Sequence, residues 1–238
     1  MKVVLITGGT KGLGISVVKE LVENAYFVIA TGRSLSIELD NIVQKTESVA
    51  FEKLDLKNDN VHEFINHITK KYGRLYGLIN NAAIGKDGIL ATMHDSEIDD
   101  VMYVNTTATL KLTKYAIRSM LLNKAGRVIN ISSIIANTGF NGLSVYAASK
   151  AALLGFTKSL AREVGKSNIT VNSILPGYMK TEMTSGIKTE KLSKIIRRSP
   201  LKTLISTKEV AGMVHYLLSE KASQITGASF TLDAGSTA

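Results

Sequence analysis

With 238 residues, no cysteine and no tryptophan, the chain is long enough for one sizeable domain or two small ones, and it has no material for a disulfide framework, a thiolate metal site or a cysteine nucleophile. Its 45% hydrophobic and 21% charged residues match a globular protein and not a disordered one. The 29 Lys+Arg against 20 Asp+Glu leave a formal charge of +9, with no run beyond Lys70-Lys71 or Arg197-Arg198, which fits either a lysine-rich solvated surface or an anionic partner.

The first apolar run, Val3–Thr7, reads as a strand and is too short for a signal-peptide core. It leads straight into Thr7-Gly8-Gly9-Thr10-Lys11-Gly12-Leu13-Gly14 and a helical pattern over Gly12–Asn24. Glycines 8, 12 and 14 permit a tight turn, close approach of backbone to a pyrophosphate, and close helix–strand packing. The helix start then offers free N–H groups and the positive end of a dipole to the anion. Phe27–Thr31 is the second strand, ending on Thr31-Gly32-Arg33-Ser34. An acidic residue at that end would accept hydrogen bonds from a ribose 2′-hydroxyl. Arg33 stands there instead and, with Lys11, suits a 2′-phosphate, so NADP(H) is the expected cofactor; the plainer reading of Arg33 is an ordinary loop arginine.

Further strands are predicted at Val49–Leu54, Gly77–Asn80, Arg127–Ser132, Thr170–Leu175 and Ser229–Leu232. Between them, Val61–Tyr72 places Val61, Phe64, Ile65, Ile68 and Tyr72 on one helical face. A longer helix is expected after Asp95, read as its N-cap, carrying Ile98, Val101, Met102, Leu112, Ala116 and Met120. Helices are also predicted over Ser144–Val164 and Thr207–Leu218. From Tyr178 to Pro200 there is no strand-like run, only a basic helical stretch, a candidate lid. No linker or repeat interrupts the pattern, so residues 1–238 are expected to form one domain, a doubly wound α/β sheet of about seven parallel strands with helices on both faces. No stretch approaches the ~18 apolar residues of a membrane span, and a soluble cytoplasmic protein is expected.

Catalytic chemistry is concentrated in Asn130-Ile131-Ser132-Ser133 and Tyr146-Ala147-Ala148-Ser149-Lys150. Tyr146 and Lys150 are four apart on a predicted helix and share a face, while Ser133 sits at a strand exit, where open α/β sheets bind ligands. A phenol is a poor acid–base group at neutral pH unless a nearby ammonium favours its phenolate, the part expected of Lys150. Histidines 62, 67, 94 and 215 lack metal-ligand spacing, so no metal is expected.

The glycine turn, Asn80-Asn81-Ala82-Ala83, the set Ser133/Tyr146/Lys150 and Pro176-Gly177 together resemble the short-chain dehydrogenase/reductase family over essentially the whole chain. Within it, Gly126–Ser133 and Ala161-Arg162-Glu163-Val164 are most similar to the bacterial 3-oxoacyl-(acyl-carrier-protein) reductases. The resemblance implies a Rossmann-type sheet, NADP(H), a homotetramer with a dimer as the alternative, and reduction of a 3-oxoacyl thioester of acyl carrier protein or CoA, with an acidic acyl carrier protein as a candidate partner and no nucleic acid or membrane. Another small ketone, a sugar or a secondary metabolite is the alternative substrate; a non-catalytic NADP-sensing protein is the alternative from a different class.

The resemblance further implies roles residue by residue. Tyr146 would be the general acid, Ser133 would stabilise the carbonyl oxygen, Lys150 would tune Tyr146 and hold the nicotinamide ribose, and Asn105 would hold a relay water. The cofactor would meet Gly8, Thr10, Lys11, Gly12, Leu13, Gly14, Arg33, Asp55 and Leu56, then Asn81, Ala82, Pro176, Gly177, Met179 and Thr181. Asp55 also reads as a strand-end cap. Three departures from the family pattern stand out: Ala83 for a glycine, the altered segment Leu201–Ser206, and Asp233-Ala234-Gly235-Ser236 in place of paired glycines. Ala83 should be tolerated if its φ is negative. Lys124 and Lys166, near predicted helix ends, are candidates for docking an acidic carrier.

Overall fold

Alternation along a single strand divides the core. In β1 (Val3–Ile6), Val4 and Ile6 join one buried cluster and Val3 and Leu5 the other, because successive side chains leave a strand on opposite faces. A computed structural model describes residues 1–179 and 189–238. Among these, β1, β2 (Phe27–Gly32), β3 (Val49–Lys53), β4 (Leu75–Asn80), β5 (Gly126–Ile131), β6 (Ile169–Pro176) and β7 (Ser229–Leu232) form one parallel sheet in the order β3-β2-β1-β4-β5-β6-β7. β4, β5 and β6 are buried throughout, as strands covered on both faces must be.

One face is covered by α1 (Gly12–Glu23), α2 (Ile37–Val43) and α9 (Thr207–Leu218), through Val17, Val18, Leu39, Val210 and Val214. The other carries α3 (Val61–Tyr72), α5 (Thr109–Leu121) and α7 (Ser144–Val164), through Ile65, Ile68, Leu112, Ala116 and Leu160. The remaining helices are α4 (Asp95–Met102), the short α6 (Ile135–Thr138) and α8 (Thr189–Arg198). A buried polar line crosses the sheet where Asn80, Asn130 and Ser173 stand in register. Asn80 Nδ2 donates to Asn130 Oδ1 (2.8 Å), Asn130 Nδ2 to Thr157 Oγ1 (2.8 Å), and Thr157 Oγ1 lies 2.7 Å from Ser173 Oγ.

Two expectations need correction. Asp95 is the first helical residue and not the cap: His94 holds the cap position and its side chain caps nothing. The long helix expected beyond it does run unbroken to Leu121, but a π-turn over Tyr103–Ala108 divides it into α4 and α5, and there Thr109 Oγ1 reaches the Val104 carbonyl five residues back at 3.3 Å. α2 is an addition; Ser36 caps it by accepting from Leu39 N.

Strand order reverses between β1 and β4, and at such a point the loops leaving the carboxyl ends diverge and open a crevice. The glycine turn, residues 81–84, Ser132-Ser133 and Pro176–Met179 all leave that edge.

Candidate active site

The glycine turn is a cradle that side chains would fill. Gly8 and Gly12 hold φ of +65° and +58°, and a Cβ on Gly14 would stand 1.9 Å from the Gly8 carbonyl oxygen. α1 begins here with no side-chain cap, which leaves its first N–H groups to an anion. Ser36 Oγ donates to the Thr10 carbonyl at 2.6 Å, fastening the turn to the loop that carries Arg33. Arg33 is exposed, and its charge is among those that help hold the Asp55 carboxyl below its usual range, after the hydrogen bond from Lys57 N and the one from Asn58. Asp55 is thus engaged in its own turn, accepting from Lys57 N at 3.0 Å and Asn58 Nδ2 at 2.9 Å.

Thr7 and Asn81 stitch the glycine turn to the exit of β4. Thr7 Oγ1 accepts from Asn81 N and Ala82 N, each at 3.0 Å, and Asn81 Nδ2 donates to the carbonyls of Thr7 (2.9 Å) and Gly8 (3.0 Å). Ala83 avoids the left-handed region, so its methyl adds no backbone strain.

Ser133 is half-buried just past β5, where its Oγ accepts from Ile135 N at 3.3 Å and α6 begins. α6 packs on α7, the helix of Tyr146 and Lys150. Lys150 is 3% exposed, and its Nζ donates to the Ile131 carbonyl at 2.8 Å. Burial disfavours the ammonium and lowers its pKa to about 8. Ser132 Oγ donates to the Lys150 carbonyl at 2.9 Å and fixes the helix to the strand exit. The tuning expected of Lys150 is not what acts on Tyr146. Burial, together with the Asp87 charge, pushes the phenol up to about 12. Lys150 Nζ stays 5.8 Å from the ring centroid and is aimed at a carbonyl. A phenol held that high keeps its proton at pH 7.

Asn105 lies in the π-turn and is 1% exposed, not facing solvent. Its Oδ1 accepts from Ile84 N (2.8 Å) while Nδ2 donates to the Ile84 carbonyl (2.9 Å) and Ser149 Oγ (3.1 Å). Single π-turns inside helices recur at functional sites.

The structure brings the glycine turn, Asn81, Ala82, Ser133, Lys150 and Pro176-Gly177 to one edge of the sheet. A Cβ on Gly177 would stand 2.7 Å from Asp233, so the chain passes closely there. Leu13 and Leu56 are buried in the two opposite cores, and Met179 packs against the core beneath α1 and α9. Thr181, with Met183 and Ile187 of the expected lid, lies outside the described residues. Lys124 and Lys166 precede β5 and β6 and sit at the amino edge of the sheet, so within one chain neither flanks the site. Sequence reasoning missed Thr7, Ser132 and Asp87. The first two are hydroxyls at strand exits beside motif residues, a signal open to reading; Asp87 has none.

A family model described as enoyl-(acyl carrier protein) reductase matches residues 8–237. The 3-oxoacyl-(acyl-carrier-protein) reductase FabG of Vibrio cholerae is 34% identical over 238 residues, which cover 98% of this chain and 96% of that protein. The enzyme of the same name from Buchnera aphidicola subsp. Acyrthosiphon pisum is 39% identical over 232 residues, covering 97% and 95%. Among solved structures, ElxO with NADP bound matches with a TM-score of 0.89 at 34% identity, covering 99% of this chain and 98% of that one. A Tyr-to-Phe variant of ElxO with NADPH bound matches equally, at 0.89 and 34%.

Proposed function

The chain belongs to the short-chain dehydrogenase/reductase family, and from that premise we propose that it is an NADPH-dependent carbonyl reductase acting on a 3-oxoacyl thioester carried by an acyl carrier protein or coenzyme A. The observation that carries the reading is a neutral, partly buried phenol and a buried lysine on α7, opposite the strand exit of Ser133 and across from a glycine cradle that any Cβ at Gly14 would close.

The cradle fits a dinucleotide: Gly8 to Gly14 would hold the pyrophosphate at the start of α1, Lys11 and Arg33 the 2′-phosphate, and Asp55 and Leu56 the adenine side. Asn81, Ala82, Pro176, Gly177 and Met179 would line the nicotinamide end. When bound, NADPH supplies the hydride. Tyr146 gives its proton to the carbonyl oxygen, a role its high pKa suits in the direction of reduction, since the acid form is present at neutral pH. The Ser133 hydroxyl donates to the same oxygen and stabilises the charge that develops there. Lys150 would hold the ribose and return a proton toward Tyr146, and Asn105 would keep the water of that relay.

Two supports favour the acyl thioester: the named activity of the two relatives, and the half-buried apolar Leu192, Ile195 and Ile196 of α8, the helix that follows the β6 exit in the chain. A homotetramer in the cytoplasm belongs to the same reading; no helix among the described residues is long and apolar enough to cross a membrane. NADPH consumption is to be measured with an acetoacetyl thioester against a panel of unrelated ketones. The thioester should be turned over fastest, and Tyr146→Phe should lower kcat at least about 100-fold while NADPH still binds. Faster turnover of another ketone moves the assignment to that substrate. NADPH binding with no reduction of any carbonyl overturns the enzymatic reading in favour of a sensor.

A further inference from the structure

We propose that Ser149 is a positioning residue that ties the π-turn of Asn105 to the backbone of Tyr146; the inference rests on the reading of Tyr146 as the acid. Ser149 is fully buried and stands between Tyr146 and Lys150 on α7. Its surroundings permit one arrangement of protons. Ile84 N–H is a donor at 2.8 Å, so the Asn105 oxygen must face it and the Asn105 amide nitrogen must face Ser149. Ser149 Oγ accepts that N–H at 3.1 Å, and its own proton goes to the Tyr146 carbonyl at 2.7 Å. Thr106 Oγ1 donates to the Ser149 carbonyl at 3.3 Å, so consecutive residues of the π-turn grip one residue of α7.

A serine hydroxyl returned to a carbonyl of the preceding turn bends a helix, and here the carbonyl it pulls on belongs to Tyr146. Loss of the hydroxyl leaves Asn105 bonded to both polar groups of Ile84, so the π-turn keeps its anchor to the β4 exit loop. What disappears is the side-chain bridge from Asn105 to the Tyr146 carbonyl, while the Thr106 bond to the Ser149 carbonyl stays and holds α7 near the turn without fixing the Tyr146 backbone. Misplacing a reacting group by about 1 Å costs up to about 100-fold in rate, whereas cofactor binding spreads over many contacts that Ser149 does not touch.

Ser149→Ala and Ser149→Thr are to be compared with the unsubstituted full-length chain, using NADPH and an acetoacetyl thioester, together with amide hydrogen exchange. Ser149→Ala should lower kcat about 10- to 100-fold with KM for NADPH within about twofold, and Ser149→Thr, which keeps the donor, should recover most of the loss. Exchange should quicken over both Tyr103–Ala108 and Tyr146–Lys150. Unchanged kcat, a parallel loss of kcat and NADPH affinity, or exchange that quickens in α7 alone each overturns the proposal. If Ser149→Ala does not fold, Ser149→Cys, a weak donor of similar size, takes its place under the same criteria. A chain that reduces no ketone at all fails the functional reading separately, and the exchange of the two segments still decides the link.

Discussion

Lys150 carries its charge where water cannot reach it, with the Ile131 carbonyl at 2.8 Å to receive one of its three N–H bonds. Its pKa falls from 10.5 in the unfolded chain to about 8 when folded, so between those values the unfolded state holds a proton that the folded state has released. Stability therefore rises with pH across that window, by on the order of 3 kcal/mol in all. Tyr146, pushed from 10 up to about 12, acts in the opposite sense only above pH 10, because there the unfolded chain loses a proton first. Urea unfolding of the protein without nucleotide should show stability rising from pH 8 to 10, and Lys150→Met should flatten that rise; an equal slope in the variant would place the lysine outside the effect. The pairing of Tyr146 with Lys150 was legible because four-residue spacing on a helix is a local fact. The direction of the tyrosine's shift was not, since it depends on burial and on Asp87, a residue in a different loop.

At the scale of elements, buried strands and the glycine turn were legible from continuous apolar runs and from glycines whose positions in the structure leave no room for a Cβ. The π-turn between α4 and α5 was not, because the apolar spacing runs through it and it is held by side-chain bonds of Asn105, Thr106 and Thr109. The ending Asp233-Ala234-Gly235 shows what one substitution inside a motif does. Ala234 sits at φ +56°, in the left-handed region that costs a residue with a Cβ about 1–2 kcal/mol. It is kept there because its carbonyl accepts from Ser199 Oγ (2.7 Å) and Leu201 N (3.3 Å), joining the end of α8 to the C-terminal turn. Ala234→Gly should relieve that strain and, after the added entropy of the unfolded glycine, stabilise the protein by about 0.5–1 kcal/mol. Thermal unfolding would register this as a rise of about 1–4 °C; an unchanged or lower midpoint would show that the turn is not strained.

Across the whole molecule the two edges of the sheet differ in kind. At the amino edge Arg127 is buried beside Glu220 (3.4 Å) and the Tyr76 ring (5.6 Å), and Lys2 lies over the same ring at 4.1 Å, an arrangement in which charges serve packing. The carboxyl edge holds the cradle, Lys150 and the neutral phenol. The formal charge of +9 belongs to neither edge as a whole, since Lys124 and Lys166 stand at the amino end of strands and Lys11 and Arg33 at the carboxyl end. A strand of six residues such as β5 separates them by roughly 20 Å, about twice the screening length of ordinary buffers. NADPH binding should therefore follow the local pair and ignore the distant one. Arg33→Asp should weaken NADPH at least about tenfold and bring NADH to comparable or better affinity, because a carboxylate there repels a 2′-phosphate and accepts from a 2′-hydroxyl. Lys124→Glu with Lys166→Glu changes the formal charge by −4, twice the −2 of Arg33→Asp, yet should leave nucleotide affinity within about twofold at 0.15 M salt. Fluorescence titration of the two proteins with NADPH and NADH decides it: equal weakening in both would make the basic balance of the whole surface responsible, and an unchanged Arg33→Asp protein would return Arg33 to the role of a loop arginine.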